Sequence, residues 1–298
     1  MRGLQAQGIT NVLACPTGSA ISQAGSAYAH VRTLPMKGDL DIGLVGKLRQ
    51  LIRQEQPDVV HLHSRRGIDI WGAIAARREG VPVVLSRRVD NPESRVAVWL
   101  KYRLYDRVIT ISQGIRQVLL NEGVPDRSIR CVPSAVDTEQ YRPDQSHQAW
   151  FRETFSLAQD QLTIGMVAQF IPRKGHQTLL DALPAVLACH PQTTVLLFGQ
   201  GPEWEHIRQR VTDSPLLSQH VQLTGFRNDL DKILPCLDIL AHPASMEGLG
   251  VSLLQAAACG LPIVAGRAGG IPEIVRPGLN GELIEPGDHQ ALANHLSM

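Results

Sequence analysis

The sequence predicts an α/β protein built from two doubly wound, Rossmann-like units that face each other across a cleft. Three observations lead there. Short, continuously apolar runs rich in β-branched residues alternate with longer amphipathic stretches, the pattern of parallel strands covered on both faces by crossover helices. The alternation stops once, in the polar stretch 134–148 that contains Pro143, and then restarts. That break places the units at residues 1–143 and 144–298. The chain has 298 residues, which suits two domains of about 100–200 residues each.

The first series opens with a strand at 11–15. Residues 41–57 read as a helix, because Leu44, Leu48, Leu51 and Ile52 share one apolar face and Pro57 stops it. A strand at 58–63, a helix through 71–79, a strand at 81–86 and a helix near 94–105 follow. A strand at 107–112, a helix through 115–123 and a strand at 129–133 complete the series. The second series gives strands at 162–168, 193–199, 220–225, 237–242, 261–266 and 281–285, with a helix after each of the first four and a short one over 271–275. Sheets of this type bind ligands beyond the C-terminal ends of their strands, so the cleft is the expected site. The opening "MRGLQAQGIT" reads as a helix end with Gly8 as its cap, and the close "DHQALANHLSM" as a helix start. A first strand and C-terminal helices are therefore expected to be missing.

Composition narrows the class. Apolar residues make up 43% and charged residues 19%, as in an ordinary soluble globular protein. A net charge of +1 argues against a chain-wide nucleic-acid footprint and leaves room only for local basic patches. The five cysteines, Cys15, Cys131, Cys189, Cys236 and Cys259, form no C-x-x-C pair and read as reduced core residues of a cytoplasmic protein. No apolar run reaches the roughly 18 residues of a membrane-spanning helix, and the start of the chain lacks a signal-peptide core.

Three loops of the second series concentrate chemistry. In "PASMEGLGVSLLQAAAC" a strand leads through Glu247 into a helix, and Gly248 and Gly250 leave backbone amides accessible. A helix N-terminus suits a phosphate, and a carboxylate beside it suits sugar hydroxyls. Glu247 as a plain helix cap is the competing reading. In "GMVAQFIPRKGHQTLL", Arg173 and Lys174 stand between a strand and a helix, where cations can neutralise a departing diphosphate. A solvated basic turn is the alternative, and the spacing is not that of a Walker loop. In "AGRAGGIPEIV", Gly269 and Gly270 permit close backbone approach, and Glu273 sits in the first turn of the short helix. All three loops follow strands of one parallel sheet and so emerge on one edge.

Here the chain resembles a retaining glycosyltransferase of family 4, with the GT-B fold. The resemblance rests on "PDVVHLHSRRG", "VITIS", "VDTEQYRP", "GMVAQFIPRKGH", "LLFGQGP", "LTGF", "MEGLGVSLLQAAACGLPIVA" and "GGIPEIVRPGLNGELIEPGD", which span nearly the whole chain. It implies metal-independent transfer of a sugar from a nucleotide-sugar donor, with no cofactor, to a cell-envelope, lipopolysaccharide or lipid-linked glycan acceptor. The C-terminal unit would hold the donor and the N-terminal unit the acceptor. The family's two acids correspond to Glu247, for the donor sugar, and to position 255, for the ribose. Here position 255 is Gln255, whose hydrogen bond lacks charge assistance. Lys174 matches the phosphate-binding lysine, while Gln169 stands where an arginine is usual, and Arg173 is a substitute of unknown direction. Leu249, within the same motif, is counted with the donor loop. Arg88 stands where the family places a histidine, and it cannot serve as a general base. Ser134-Ala135 replaces the usual Asn-Gly. Base recognition is implied around 223–228, at Phe226 and Arg227.

Further features stay open. His61 and His63 alternate onto one strand face; His63 reads as a cleft-lining residue, and no third metal ligand is evident. The pairs Asp39/Asp41 and Asp229/Asp231 read as helix-start acids. Residues 94–107 mix cations and aromatics with aliphatics, which fits either a packed helix or a surface lying on the anionic inner face of the cytoplasmic membrane. Two other classes compete with a transferase. One is a truncated or degenerate GT-B protein without activity. The other is a nucleotide-sugar epimerase, for which the paired carboxylates and histidine bases are not found.

Overall fold

Twelve strands form among residues 1–63 and 67–298, the residues described by the computed structural model. Ser64, Arg65 and Arg66 of the motif "PDVVHLHSRRG" lie outside the described residues. The chain divides into two units. The N-terminal unit comprises Met1–Arg88, Pro92–Thr110 and Leu119–Arg130, and the C-terminal unit comprises Val89–Asn91, Ile111–Val118 and Cys131–Met298.

The N-terminal unit carries β1 (Val12–Pro16), β2 (His30–Leu34), β3 (Val60–Leu62), β4 (Val83–Arg87), β5 (Arg107–Thr110) and β6 (Ile129–Cys131). Its strands do not make the single sheet that the alternation predicts. β1 pairs in parallel with β2 alone, while β3-β4-β5-β6 form a separate four-stranded sheet. The sequence reading passes over β2 because its His30, Arg32 and Thr33 point to solvent and only Val31 and Leu34 are half-buried. Such a strand lacks the apolar run of a doubly covered one. The core lies over the four-stranded sheet. Leu44, Val45, Leu48 and Ile52 come from the helix Leu44–Glu55, and Ala73, Ala75 and Ala76 from the helix Ile68–Arg78. A largely buried charge cluster adjoins it, in which Lys101 Nζ lies 2.9 Å from both Asp69 Oδ2 and Glu93 Oε1. Arg87 Nη1 stands 3.2 Å from the same Glu93 oxygen.

The C-terminal unit is a regular doubly wound fold. Its strands are β7 (Leu162–Val167), β8 (Thr193–Phe198), β9 (Val221–Gly225), β10 (Ile239–His242), β11 (Ile263–Gly266) and β12 (Gly281–Ile284). They lie in the order β12-β11-β10-β7-β8-β9. Alternate residues of β8 serve two cores. Val195 and Leu197 join the helix His176–Cys189 through Leu179, Leu183 and Val186. Leu196 and Phe198 join the helix Val251–Ala258 through Leu253 and Ala256. The two-residue side-chain period of a strand thus places helices on both faces. Asp238 fixes the register of β7 against β10, because its Oδ2 accepts from Thr163 N and Thr163 Oγ1, each at 2.7 Å.

The cysteines divide. Cys15, Cys236 and Cys259 are buried, but Cys131 is half-buried and Cys189 exposed, so two of the five are not core residues. No helix is long and apolar enough to cross a membrane, and no group of three or more His, Cys, Asp or Glu side chains is placed to hold a metal, among the described residues.

Candidate active site

The order of the C-terminal sheet reverses at β7. The chain runs outward through β8 and β9, then returns to lay β10 on the other side of β7. At such a switch point the two loops leaving adjacent strands diverge and open a crevice. The loop after β7 carries Arg173 and Lys174, and the loop after β10 carries Glu247. The structure brings Lys174 and Glu247 into direct contact, with Lys174 Nζ on Glu247 Oε2. His242, the last residue of β10, reaches the same oxygen through Nε2 at 3.1 Å.

These contacts decide what Glu247 is. The helix Val251–Ala258 has Gly250 as its N-cap and no side-chain cap, so Glu247 is not a capping residue. Burial alone would raise its carboxyl pKa, but the hydrogen bond from His242 and the charge of Lys174 outweigh burial and hold it at about 2. An ionised carboxylate only accepts, so His242 carries its proton on Nε2. The sequence reading missed His242. Its signal was a histidine ending an otherwise apolar strand, where a buried polar group needs a partner. His242 is 1% exposed, and Glu247 is that partner. Behind it lies His176, stacked on Phe170 with ring centroids 4.2 Å apart. Its pKa is lowered to about 4, by burial first and then by the nearby His242 and Lys174.

The loops are held by main-chain contact. Gly175 has φ +80°, and a Cβ there would lie 2.1 Å from Pro243 O. At Gly269 (φ +52°) a Cβ would lie 1.8 Å from Glu247 O, and Gly270 N donates to that oxygen at 3.1 Å. The double glycine therefore seats the 266–270 loop on the backbone of Glu247 and Gly248. Gly199, which the sequence reading did not single out, does the same for β8, because its Cβ would meet Ala168 O at 2.0 Å.

The other expected site residues fall into groups. Arg173 turns to Asn91 Oδ1 at 3.2 Å and Met246 Sδ at 3.5 Å, and its carbonyl accepts from Ser245 N at 2.9 Å. Gln169 is exposed at the start of the loop after β7, and Gln255 is half-buried on the helix Val251–Ala258. Gly248 and Gly250 are buried, and Leu249 is a core residue at 3% exposure. Phe226 is exposed, while Arg227 is paired with Asp229 at 2.6 Å. Glu273 caps the helix Gln113–Asn121, accepting from Gln113 N at 2.9 Å and Gly114 N at 2.8 Å. In the N-terminal unit, His63 and Arg88 stand at the C-terminal ends of β3 and β4. Desolvation, then His61 and Arg88, lower the His63 pKa to about 4, so its ring is neutral near pH 7. His61 and His63 lie with ring centroids 3.9 Å apart, and His61 Nε2 is 2.9 Å from Ser86 Oγ.

Known proteins share this architecture. Residues 1–140 match the family described as Glycosyltransferase Family 4, and residues 161–298 match Glycosyl transferases group 1. The chain is 28% identical over 263 residues to a GDP-mannose-dependent alpha-(1-6)-phosphatidylinositol monomannoside mannosyltransferase of Mycolicibacterium smegmatis. That alignment covers 84% of this chain and 69% of the relative. Relatives of the same name from Mycobacterium tuberculosis align over about half of their length, 49%. It is 26% identical over 84% of its length to a UDP-Gal:alpha-D-GlcNAc-diphosphoundecaprenol alpha-1,3-galactosyltransferase of Escherichia coli, of which 68% is covered. Anabaena Alr3699/HepE, solved in complex with UDP and glucose, superposes with a TM-score of 0.83 at 26% identity, over 96% of this chain and 80% of that one. With two Rossmann-like units and glycosyltransferase family matches over both halves, the chain is a family-4-like glycosyltransferase of GT-B fold, an enzyme that uses a nucleotide-sugar donor.

Proposed function

We propose that this chain moves a sugar from a nucleoside-diphosphate sugar to a lipid-linked glycan acceptor of the cell envelope, with retention at the anomeric carbon. The observation that carries this is the Lys174–Glu247–His242 constellation at the β7/β10 switch point, beside the uncapped start of the helix Val251–Ala258. Lys174 and the helix start take the diphosphate, where negative charge builds as the glycosidic bond breaks. Glu247 accepts from the sugar hydroxyls, and Gln255 bonds the ribose without charge assistance. The departing phosphate takes the acceptor's proton. Arg88 supplies a fixed positive charge and His63 a neutral ring on the acceptor side. The two lipid-acting relatives support the acceptor class.

The acceptor class also gives a reason for the outer face of the helix Arg95–Tyr102. Val98 and Tyr102 face the core, whereas Val96, Trp99 and Leu100 are 71%, 58% and 57% exposed. Arg95 at the start of the helix and Arg103 at its end are exposed, with the Arg103 guanidinium 3.9 Å from the Trp99 ring centroid. An apolar stripe flanked by cations suits the interface of an anionic bilayer, which would set the chain on the inner face of the cytoplasmic membrane.

The test is transfer of labelled sugar from UDP-, GDP- and ADP-linked donors to polyprenyl-diphosphate-linked and phosphatidylinositol-linked acceptors. Turnover with one pairing that Lys174→Ala abolishes is the expected result. A folded enzyme that binds donor yet transfers to neither acceptor class sinks the acceptor assignment. For the membrane contact, sedimentation with vesicles containing phosphatidylglycerol should fall in Trp99→Ala/Leu100→Ala; equal sedimentation of wild type with neutral vesicles removes that part of the reading.

A further inference from the structure

The cation that should meet the donor diphosphate is already occupied. Lys174 Nζ and His242 Nε2 both converge on one oxygen, Glu247 Oε2. The lysine side chain is 11% exposed and the glutamate side chain 15%, so water screens their attraction weakly. A diphosphate approaching Lys174 therefore meets a carboxylate of its own sign in the position it must take. The imidazole is different. His242 lies at the end of β10 at 1% exposure, and its Nδ1 has no hydrogen-bond partner among the described residues. Of the two groups holding Glu247, the flexible lysine can be drawn away and the buried histidine stays.

We propose that the resting donor site is self-neutralised: the diphosphate displaces Glu247 from Lys174, and His242 then retains Glu247 as the acceptor for the donor's sugar hydroxyls. This rests on the reading that Lys174 takes the diphosphate. His242 is a positioning residue in this scheme, since it acts on the donor only through Glu247. The exchange couples the two halves of the donor. A bare nucleoside diphosphate bears the full cost of separating Lys174 from Glu247, and a nucleotide-sugar recovers part of it by giving the freed carboxylate its hydroxyls.

The consequence is a reversal of sign that a simple contact role cannot produce. Removing the charge of Glu247 should strengthen the binding of a bare nucleoside diphosphate. The experiment is isothermal titration of the full chain with UDP and GDP, and with UDP-glucose and GDP-mannose. Glu247→Gln and Glu247→Ala are expected to bind the preferred bare diphosphate about three- to tenfold more tightly than wild type. The same variants should lose most of the affinity difference between nucleotide-sugar and nucleotide. The gain should vanish when Lys174→Ala is added, because the coupling is between those two residues. His242→Leu should lower the affinity for the nucleotide-sugar alone, and His242→Gln, which keeps a donor near the Nε2 position, should restore it. If wild type binds a diphosphate and neither Glu247 variant tightens it, the self-neutralised site is overturned while the donor site stands. If Lys174→Ala leaves diphosphate binding unchanged, the placement of the diphosphate itself fails and this inference falls with it.

Discussion

The two units solve the same problem with different thoroughness. In the C-terminal unit every residue of β8 is buried, and its side chains feed cores on both faces of a six-stranded sheet. In the N-terminal unit the strands are split into one pair and one sheet of four, and β2 and β3 keep only half-buried or exposed side chains. The Lys174–Glu247 pair sits in the unit with the continuous sheet. An ion pair bridging the loops after two strands needs both strands fixed in register, and the Thr163–Asp238 lock between β7 and β10 supplies that. The N-terminal unit instead invests in charge, through the Lys101–Asp69–Glu93–Arg87 cluster and the cation-flanked face of the helix Arg95–Tyr102.

The largest expected effect that tests this contrast is in the cores. Leu197→Ala, in fully covered β8, should destabilise the protein by about 2–5 kcal/mol in chemical denaturation. Val31→Ala, in half-covered β2, should cost about 1 kcal/mol or less. Equal costs would mean that β2 is buried in solution.

Acid should separate the units next. His176 titrates at about 4 in the folded chain against 6.5 ordinarily. Above 6.5 both folded and unfolded chains hold it neutral; between about 4 and 6.5 only the unfolded chain takes the proton. Stability is therefore full above 6.5 and falls as pH drops toward 4, by about 3 kcal/mol at about 1.4 kcal/mol per pH unit. His176→Leu should flatten that slope. His63→Gln should change it less, because His176, at 3% exposure, is the more enclosed of the two. Glu247 adds to the same trend only below its ordinary 4.5, as pH falls toward about 2.

Glycines give a smaller contrast. Gly199→Ala should cost about 2 kcal/mol or more, since φ is +135° and the new Cβ would strike Ala168 O. Gly80→Ala in the N-terminal unit also has a positive φ, +74°, but open space around it, so about 1 kcal/mol of strain is expected, read as a shift of the thermal midpoint. The smallest effect is in binding. Lys174→Ala should weaken nucleoside diphosphate binding about tenfold, and Arg88→Ala should leave it unchanged in the same titration. A loss with Arg88→Ala would move part of the diphosphate site to the N-terminal unit.

The sequence made the C-terminal sheet readable because each of its strands is an apolar run between a helix and a Gly-bearing loop, so period and punctuation agree. It concealed β2, since a strand with three solvent-facing polar residues looks like a loop. Lys174 and Glu247 were legible as a cation and a carboxylate in loops that leave one edge of the same sheet; that β7 and β10 are neighbours, which lets the two meet, came only with the fold. The role of Glu273 was not legible, because a helix-start acid in its own segment caps a helix some 160 residues away in the chain. His242 was hidden for a similar reason. Nothing in "LDILAH" says whether its histidine is spare or spoken for until the partner carboxylate arrives from the loop beyond it.

The seating of Gly269 and Gly270 on the backbone of Glu247 and Gly248 has a practical reading for anyone recasting donor choice. Loops 245–250 and 266–270 behave as one inseparable block, in which exchanging either segment alone would bring main chain into main chain. Phe226, 68% exposed in the loop after β9, and Gln255, half-buried on the helix Val251–Ala258, lie outside the block and can be varied without disturbing it. A library built on the proposed donor site would therefore vary those two positions and leave the glycines fixed.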